Sequence, residues 1–389
     1  MPILEETELH DLLVKGQISV ISVDTNIFDQ KRLNLNSGAL QSLTGLRDQP
    51  IDFVLSGTVA REVLAHLEKS IREALVAVKK GIGQALFAFD TKNPSREEVL
   101  EQLTRAQTEE AAAKQRWDQF VDNTGCTLLA DTDLVGTKDI YDAYFAGKPP
   151  FGSGRKKDEF PDALALYALE QIGSERNTGI LVVSKDDDWR AFCAESERLF
   201  LITNVERALA LVTNAPLELR KALFAWISDK GDGFEELNHA ISNNVERISF
   251  TAIAHPTFGE VETAPWDGEL FDILWPEEED IDIIELKADD HNRVVRIVAS
   301  LPLELQITVP VELEFSVWDS IDKDSVGMGV RTIDAKEEVP ARATVTLSVH
   351  NQGSEDEEFE FQASELDISF HEIDLGSVDV FDPEECYEE

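Results

Sequence analysis

The chain has 389 residues, 42% of them hydrophobic, enough for two folded domains of ordinary size. No apolar run approaches the roughly 18 residues that a membrane helix needs, and the first residues lack the basic-then-apolar order of a secretory signal. The net charge of −42 repels nucleic acid at long range, so a face that binds it must be local. Three cysteines without CxxC or Cys/His spacing exclude a zinc site and a disulfide framework, and a reducing cytoplasm is expected.

Residues 5–14 read as an amphipathic helix and 17–24 as a buried strand ending in Asp24. Residues 37–46 suggest a helix and 53–55 a short strand. Thr58 then opens a long helix to about Phe89, with Val63, Leu64, Leu67, Ile71 and Leu75 at helical spacing. Ser95-x-x-Glu98 is a capping box that starts a second long helix to about Val121. Residues 70–123 are therefore expected to form a helical hairpin projecting from the core. A third strand over 126–130, a helix over 138–146 and a Pro/Gly loop follow. A helix from Asp162 to Ile172 and strands over 180–184 and 199–203 complete the region. Alternating strands and helices predict a doubly wound parallel α/β sheet.

The pattern changes after residue 205. Residues 206–244 read as a helical linker. From about 245 the chain reads as strands, among them 294–299, 303–309, 311–318, 341–349, 358–363 and 366–373. Their spacing predicts an antiparallel β-rich domain over 245–389, a sandwich or small barrel. Residues 241–389 hold 38 Asp and Glu against 8 Lys and Arg. That surplus opposes RNA binding there and leaves a protein partner or self-association as its expected use.

Two apolar strands, 18–23 and 180–184, deliver carboxylates at their carboxyl ends: Asp24, and Asp186-Asp187-Asp188. Two helices add Glu62 and Asp162 in their first turns. The carboxyl edge of such a sheet is where ligands bind. Clustered carboxylates there repel one another unless a hard cation such as Mg²⁺ or Mn²⁺ sits among them. Each acid alone has a plainer explanation as a helix cap or first-turn acid; the joint order carries the reading. Arg155, Lys156 and Lys157 directly precede the Asp162 helix and are candidate phosphate contacts, with Lys31, Arg32, Lys79 and Lys80 as other basic positions.

Asp24-Thr25-Asn26, Glu62, Glu159-Phe-Pro-Asp162-Ala and Ser184-Lys-Asp186-Asp187-Asp188-Trp189 together resemble the PIN-domain nucleases, and Pro149 through Ala163 is closest to a bacterial PIN-like subgroup of unassigned function. The resemblance covers roughly residues 15–205, so the nuclease domain is taken as 1–205. It implies a metal-dependent nuclease, most often an endoribonuclease of toxin, phage-defence or RNA-processing type. It maps the catalytic acids onto Asp24, Glu62, Asp162 and Asp186, with Asp24, Asp162, Asp186 and Asp188 approaching Mg²⁺ or Mn²⁺. Asn26 and Ser184 would support Asp24 and Asp186. Cleavage would use water activated by the metal, with RNA as partner. The rival readings are a non-catalytic PIN-like scaffold for protein interaction and a structure-specific DNA nuclease.

Overall fold

The computed structural model describes residues 4–91, 94–151, 159–228, 231, 233–248, 250–291, 293–321, 323–351, 358–368 and 372–380. The chain divides into two compact units, Met1–Asn214 and Ala215–Glu389.

In the first unit, α1 (Glu6–Val14) leads into β1 (Ile18–Val23), whose apolar run is buried almost throughout, as a strand covered on both faces requires. The short helices α2 (Thr25–Gln30) and α3 (Gly38–Ser42) precede β2 (Asp52–Leu55). Ser56 then starts α4 (Gly57–Ala88), its hydroxyl accepting from the amides of Thr58 and Val59. Next come α5 (Arg96–Thr104), α6 (Glu109–Thr124), β3 (Thr127–Leu128), α7 (Asp131–Leu134), α8 (Thr137–Ala146) and α9 (Phe160–Arg176). The unit closes with β4 (Gly179–Val183), α10 (Asp187–Glu195), β5 (Leu199–Ile202) and α11 (Val205–Thr213). The five strands form the expected parallel sheet, in the order β3-β2-β1-β4-β5. Strand order therefore reverses between β1 and β4, where Val23 pairs with Val183. Open α/β sheets bind ligands at such a reversal.

The second arm of the expected hairpin is two helices rather than one. Arg105 and Ala106 turn left-handed at φ 52° and 56°, and the hydroxyl of Thr108 caps α6. Nor does that arm stand clear of the core. Trp117 and Phe120 of α6 pack edge-on against Phe28 at 6.2 and 5.7 Å, and Phe120 meets Phe53 at 6.4 Å. These rings bury α6 as an integral part of the unit.

The stretch 206–244 is divided between the units. In the second, α12 (Leu217–Ile227) and α13 (Phe234–Val245) contribute Leu219, Leu223, Leu237 and Ile241 to the hydrophobic core. The strands are β6 (Thr251–Pro256), β7 (Glu260–Pro265), β8 (Glu269–Leu274), β9 (Asp282–Ala288), β10 (Val294–Asp319), β11 (Asp324–His350), β12 (Glu358–Ile368) and β13 (Glu372–Val378). Expected as separate strands, 294–299, 303–309 and 311–318 are one, β10, because both prolines lie on its outer face. Every odd position from Ile297 to Phe315 is buried, while Pro302 and Pro310 fall at even positions. Each costs one ladder donor without breaking the strand. One edge of β10 pairs with β11; β9, β8 and β7 take successive stretches of the other. With β12 they form the expected antiparallel array, a six-stranded sheet, and β6 and β13 form a separate parallel pair.

Candidate active site

Asp24 follows β1 directly, and its amide donates to the Val183 carbonyl at 3.0 Å, which fixes it at the β1–β4 junction. It sits at the cap position of α2 but its side chain makes no capping bond. The carboxylate turns inward instead. Its Oδ2 accepts from Ser184 Oγ at 2.6 Å and from Asn26 Nδ2 at 2.5 Å. Only 4% of Asp24 is exposed. Burial pushes its carboxyl up to about 7, and the charges of Asp162 and Asp186 push the same way against the hydrogen bonds from Ser184 and Thr25.

Ser184 is the hub. Besides donating to Asp24, its oxygen accepts from the Asp186 amide at 3.0 Å and from Asn26 Nδ2 at 3.1 Å. Asn26 Oδ1 accepts from the Lys185 amide at 3.4 Å. The two positions expected as supports thus tie the ends of β1 and β4 together.

Asp186 is both site acid and helix cap: its Oδ1 accepts from the amides of Asp188 and Trp189 at 2.7 and 3.2 Å, starting α10. Asp162, in the first turn of α9, accepts from the indole Nε1 of Trp189 at 2.8 Å. Glu62, on α4, accepts from Thr25 Oγ1 at 2.7 Å and so reaches the site through the residue after Asp24.

One acid was not legible as a site residue. Glu159, just before α9, has its carboxyl pushed up to about 7, by burial first, then by its hydrogen bond with Asp162 and the charges of Asp188, Asp162 and Asp186. The sequence signal was a Glu three positions before Asp162 across the helix-starting Pro161. A second unforeseen carboxylate, Asp131, is buried but structural: it accepts from Ser56 Oγ, Thr58 Oγ1 and the amides of Gly57 and Thr58 at the start of α4.

Asp24 thus feels the charges of Asp162 and Asp186, and Glu159 those of Asp188, Asp162 and Asp186. Among the described residues, however, no group of three His, Cys, Asp or Glu side chains is arranged to hold a metal ion. Each acid has its own partners instead: Asp24 is held by Ser184 and Asn26, Asp162 by Trp189, and Asp186 by the start of α10. Arg155, Lys156 and Lys157 lie outside the described residues. Lys31 is paired with the buried Glu206 at 2.6 Å, so it is no open phosphate contact. His66, one turn beyond Glu62, meets Asp29 at 2.9 Å.

Residues 21–189 match the family model of the PIN domain. Residues 21–189 are a PIN domain. No curated protein and no solved structure matches the chain. The matched span runs from within β1 to Trp189 and contains Asp24, Glu62, Glu159, Asp162, Asp186 and Asp188; the second unit lies outside it. The PIN domain places the unit in the nuclease superfamily in general, suggests nucleic acid as its ligand, and generally works with divalent metals. The donors here fit such an ion. All are carboxylate oxygens, the set a hard divalent cation prefers, and burial of Asp24 among like charges is relieved by a cation. Among the described residues no helix is long and apolar enough to cross a membrane.

Trp189 is 1% exposed, and its indole positions Asp162 in this PIN domain. Trp189→Phe keeps the packing and removes the donor. The expected result is about a tenfold loss of cleavage, the scale of one hydrogen bond, with the melting temperature within a few degrees of wild type. Unchanged turnover in steady-state cleavage assays would remove Trp189 from the site.

Proposed function

We propose that the PIN domain is a Mg²⁺- or Mn²⁺-dependent endoribonuclease of toxin, phage-defence or RNA-processing type, acting in the cytoplasm. The observation that carries this reading is Asp24: a carboxyl buried at the strand reversal, pushed up to about 7 by burial and then by Asp162 and Asp186. A buried carboxyl with two like charges beside it carries a cost that a bound cation relieves. Asp24, Asp162, Asp186 and Asp188 would hold the ion. Glu62, through Thr25, would orient the first of them, and Asn26 and Ser184 hold the Asp24 carboxylate in place. Glu159 adds a fifth carboxyl that shares a hydrogen bond with Asp162. The chemistry a divalent ion supplies in such a site is activation of water and neutralisation of charge on the phosphate. Arg155, Lys156 and Lys157 are the cations proposed to meet that phosphate. The buried thiols of Cys126 and Cys193, both pushed up to about 12 by burial, suit a reducing compartment. The acidic second unit is assigned to a protein partner or to self-association.

The test is incubation with tRNA, rRNA and single-stranded DNA, each in Mg²⁺, in Mn²⁺ and in EDTA. Internal cleavage of RNA that needs the metal is the expected result. Cleavage of DNA with RNA intact would replace this reading with the DNA nuclease. Intact substrates throughout would leave the non-catalytic scaffold.

A further inference from the structure

Helix α8 buries Ile140 and Ala143 and turns Tyr141 and Phe145 outward, four residues apart on one face. Tyr141 is 53% and Phe145 79% exposed. Their rings lie 6.2 Å apart and only 29° from parallel. From Phe145 the aromatic row runs inward, to Tyr144 at 5.3 Å and from Tyr144 to Phe160 at 5.2 Å. Phe160 is the first residue of α9, next to Glu159 and two before Asp162, and is itself 39% exposed. Behind it Phe151 is buried and closes the cluster at 5.1 Å. One row of rings thus begins at the residue after Glu159 and ends in solvent.

The inner rings have a packing role. The outer pair does not: two large rings left in water side by side lose the burial that is their usual contribution to a fold. The charge of the chain gives them a use. The net charge of −42 repels phosphates at long range, so contacts that need no cation add to what the few local cations supply. Stacking of unpaired bases on aromatic rings needs no cation, because every base has a π face.

We propose that Tyr141 and Phe145 are a stacking platform for unpaired bases of the RNA strand whose backbone reaches the carboxylates past Phe160. The proposal rests on the nuclease reading above and adds which surface holds the strand. In a duplex both faces of each base are already stacked, so the platform offers it nothing.

The test measures binding of a fluorescently labelled, unstructured RNA oligonucleotide to the full chain in EDTA, where turnover is not needed. Tyr141→Leu with Phe145→Leu keeps apolar bulk and removes both π faces; Tyr141→Phe with Phe145→Trp keeps them. The leucine pair is expected to weaken binding by about 10- to 100-fold, and the aromatic pair to stay within a few-fold of wild type. Both positions are exposed, so both variants should melt like the wild type. A blunt RNA duplex should bind weakly and alike to all three proteins. Equal affinity of wild type and the leucine pair for the single strand would overturn the platform, as would preference for DNA of the same sequence. So would loss of self-association in the leucine pair without loss of RNA affinity. Normal binding without cleavage by the wild type would sink the nuclease reading and leave the platform standing.

Discussion

Asp24→Asn is expected to lower RNA cleavage by about 10²-fold or more, a few kcal/mol in barrier. The substitution keeps the size of the side chain, and an amide oxygen still accepts from Ser184 Oγ. What it removes is the charge at the one acid that the β1–β4 junction, Ser184 and Asn26 all hold in place. The folded protein should gain stability in the same step. The ionised carboxylate is disfavoured by burial and by Asp162 and Asp186, and the neutral amide escapes that cost. A variant that melts at or above the wild-type temperature in EDTA and does not cleave is the expected pair of results. Cleavage at the wild-type rate, in a preparation free of contaminating nuclease, would remove Asp24 from the catalytic site.

The metal-free protein is expected to lose stability as pH rises from about 4 to about 7. The Asp24 carboxyl ionises near 3.8 when unfolded but holds its proton to about 7 in the fold. Between those values the folded state binds more protons, so raising the pH favours unfolding. The full penalty, roughly 4 kcal/mol by the conversion of a pKa shift to free energy, is reached above the folded value. Glu159 works in the same direction. The acidic chain also repels itself as it ionises, so the diagnostic quantity is the difference from Asp24→Asn, whose curve should be flatter. Adding Mn²⁺ should restore the loss, and its apparent affinity should climb through about pH 7 as the ion displaces protons. Thermal melts between about pH 5 and pH 8, in EDTA and in Mn²⁺, read both effects. Identical pH dependence in wild type and Asp24→Asn would contradict the placement of a costly charge at this position.

The parallel sheet and its carboxyl-edge acids were legible because buried strands such as Ile18–Val23 and Gly179–Val183 are short apolar runs, and because Asp24 and Asp186 end or follow them directly. The supports Asn26 and Ser184 were found by their closeness in sequence to those acids. Glu159 was not, since its importance comes from Asp188, Asp162 and Asp186 converging from α9 and α10, a tertiary fact that spacing does not carry. Trp189 was visible as a motif position but not as the donor to Asp162. In the second unit the prolines misled: Pro302 and Pro310 read as strand breaks, while the alternation from Leu301 to Phe315 already placed both on the outer face. The left-handed pair Arg105 and Ala106, which splits α5 from α6, had no glycine to announce it.

The account stands on a divalent ion being gathered by these carboxylates, and Mn²⁺ titration followed by electron paramagnetic resonance, run on wild type and on Asp24→Asn in parallel, tests that most directly. Saturable binding by the wild type that Mg²⁺ displaces, weakened about 10²-fold or more by Asp24→Asn, is the predicted result. Saturable binding unchanged by Asp24→Asn, or no saturable binding at all, would contradict it.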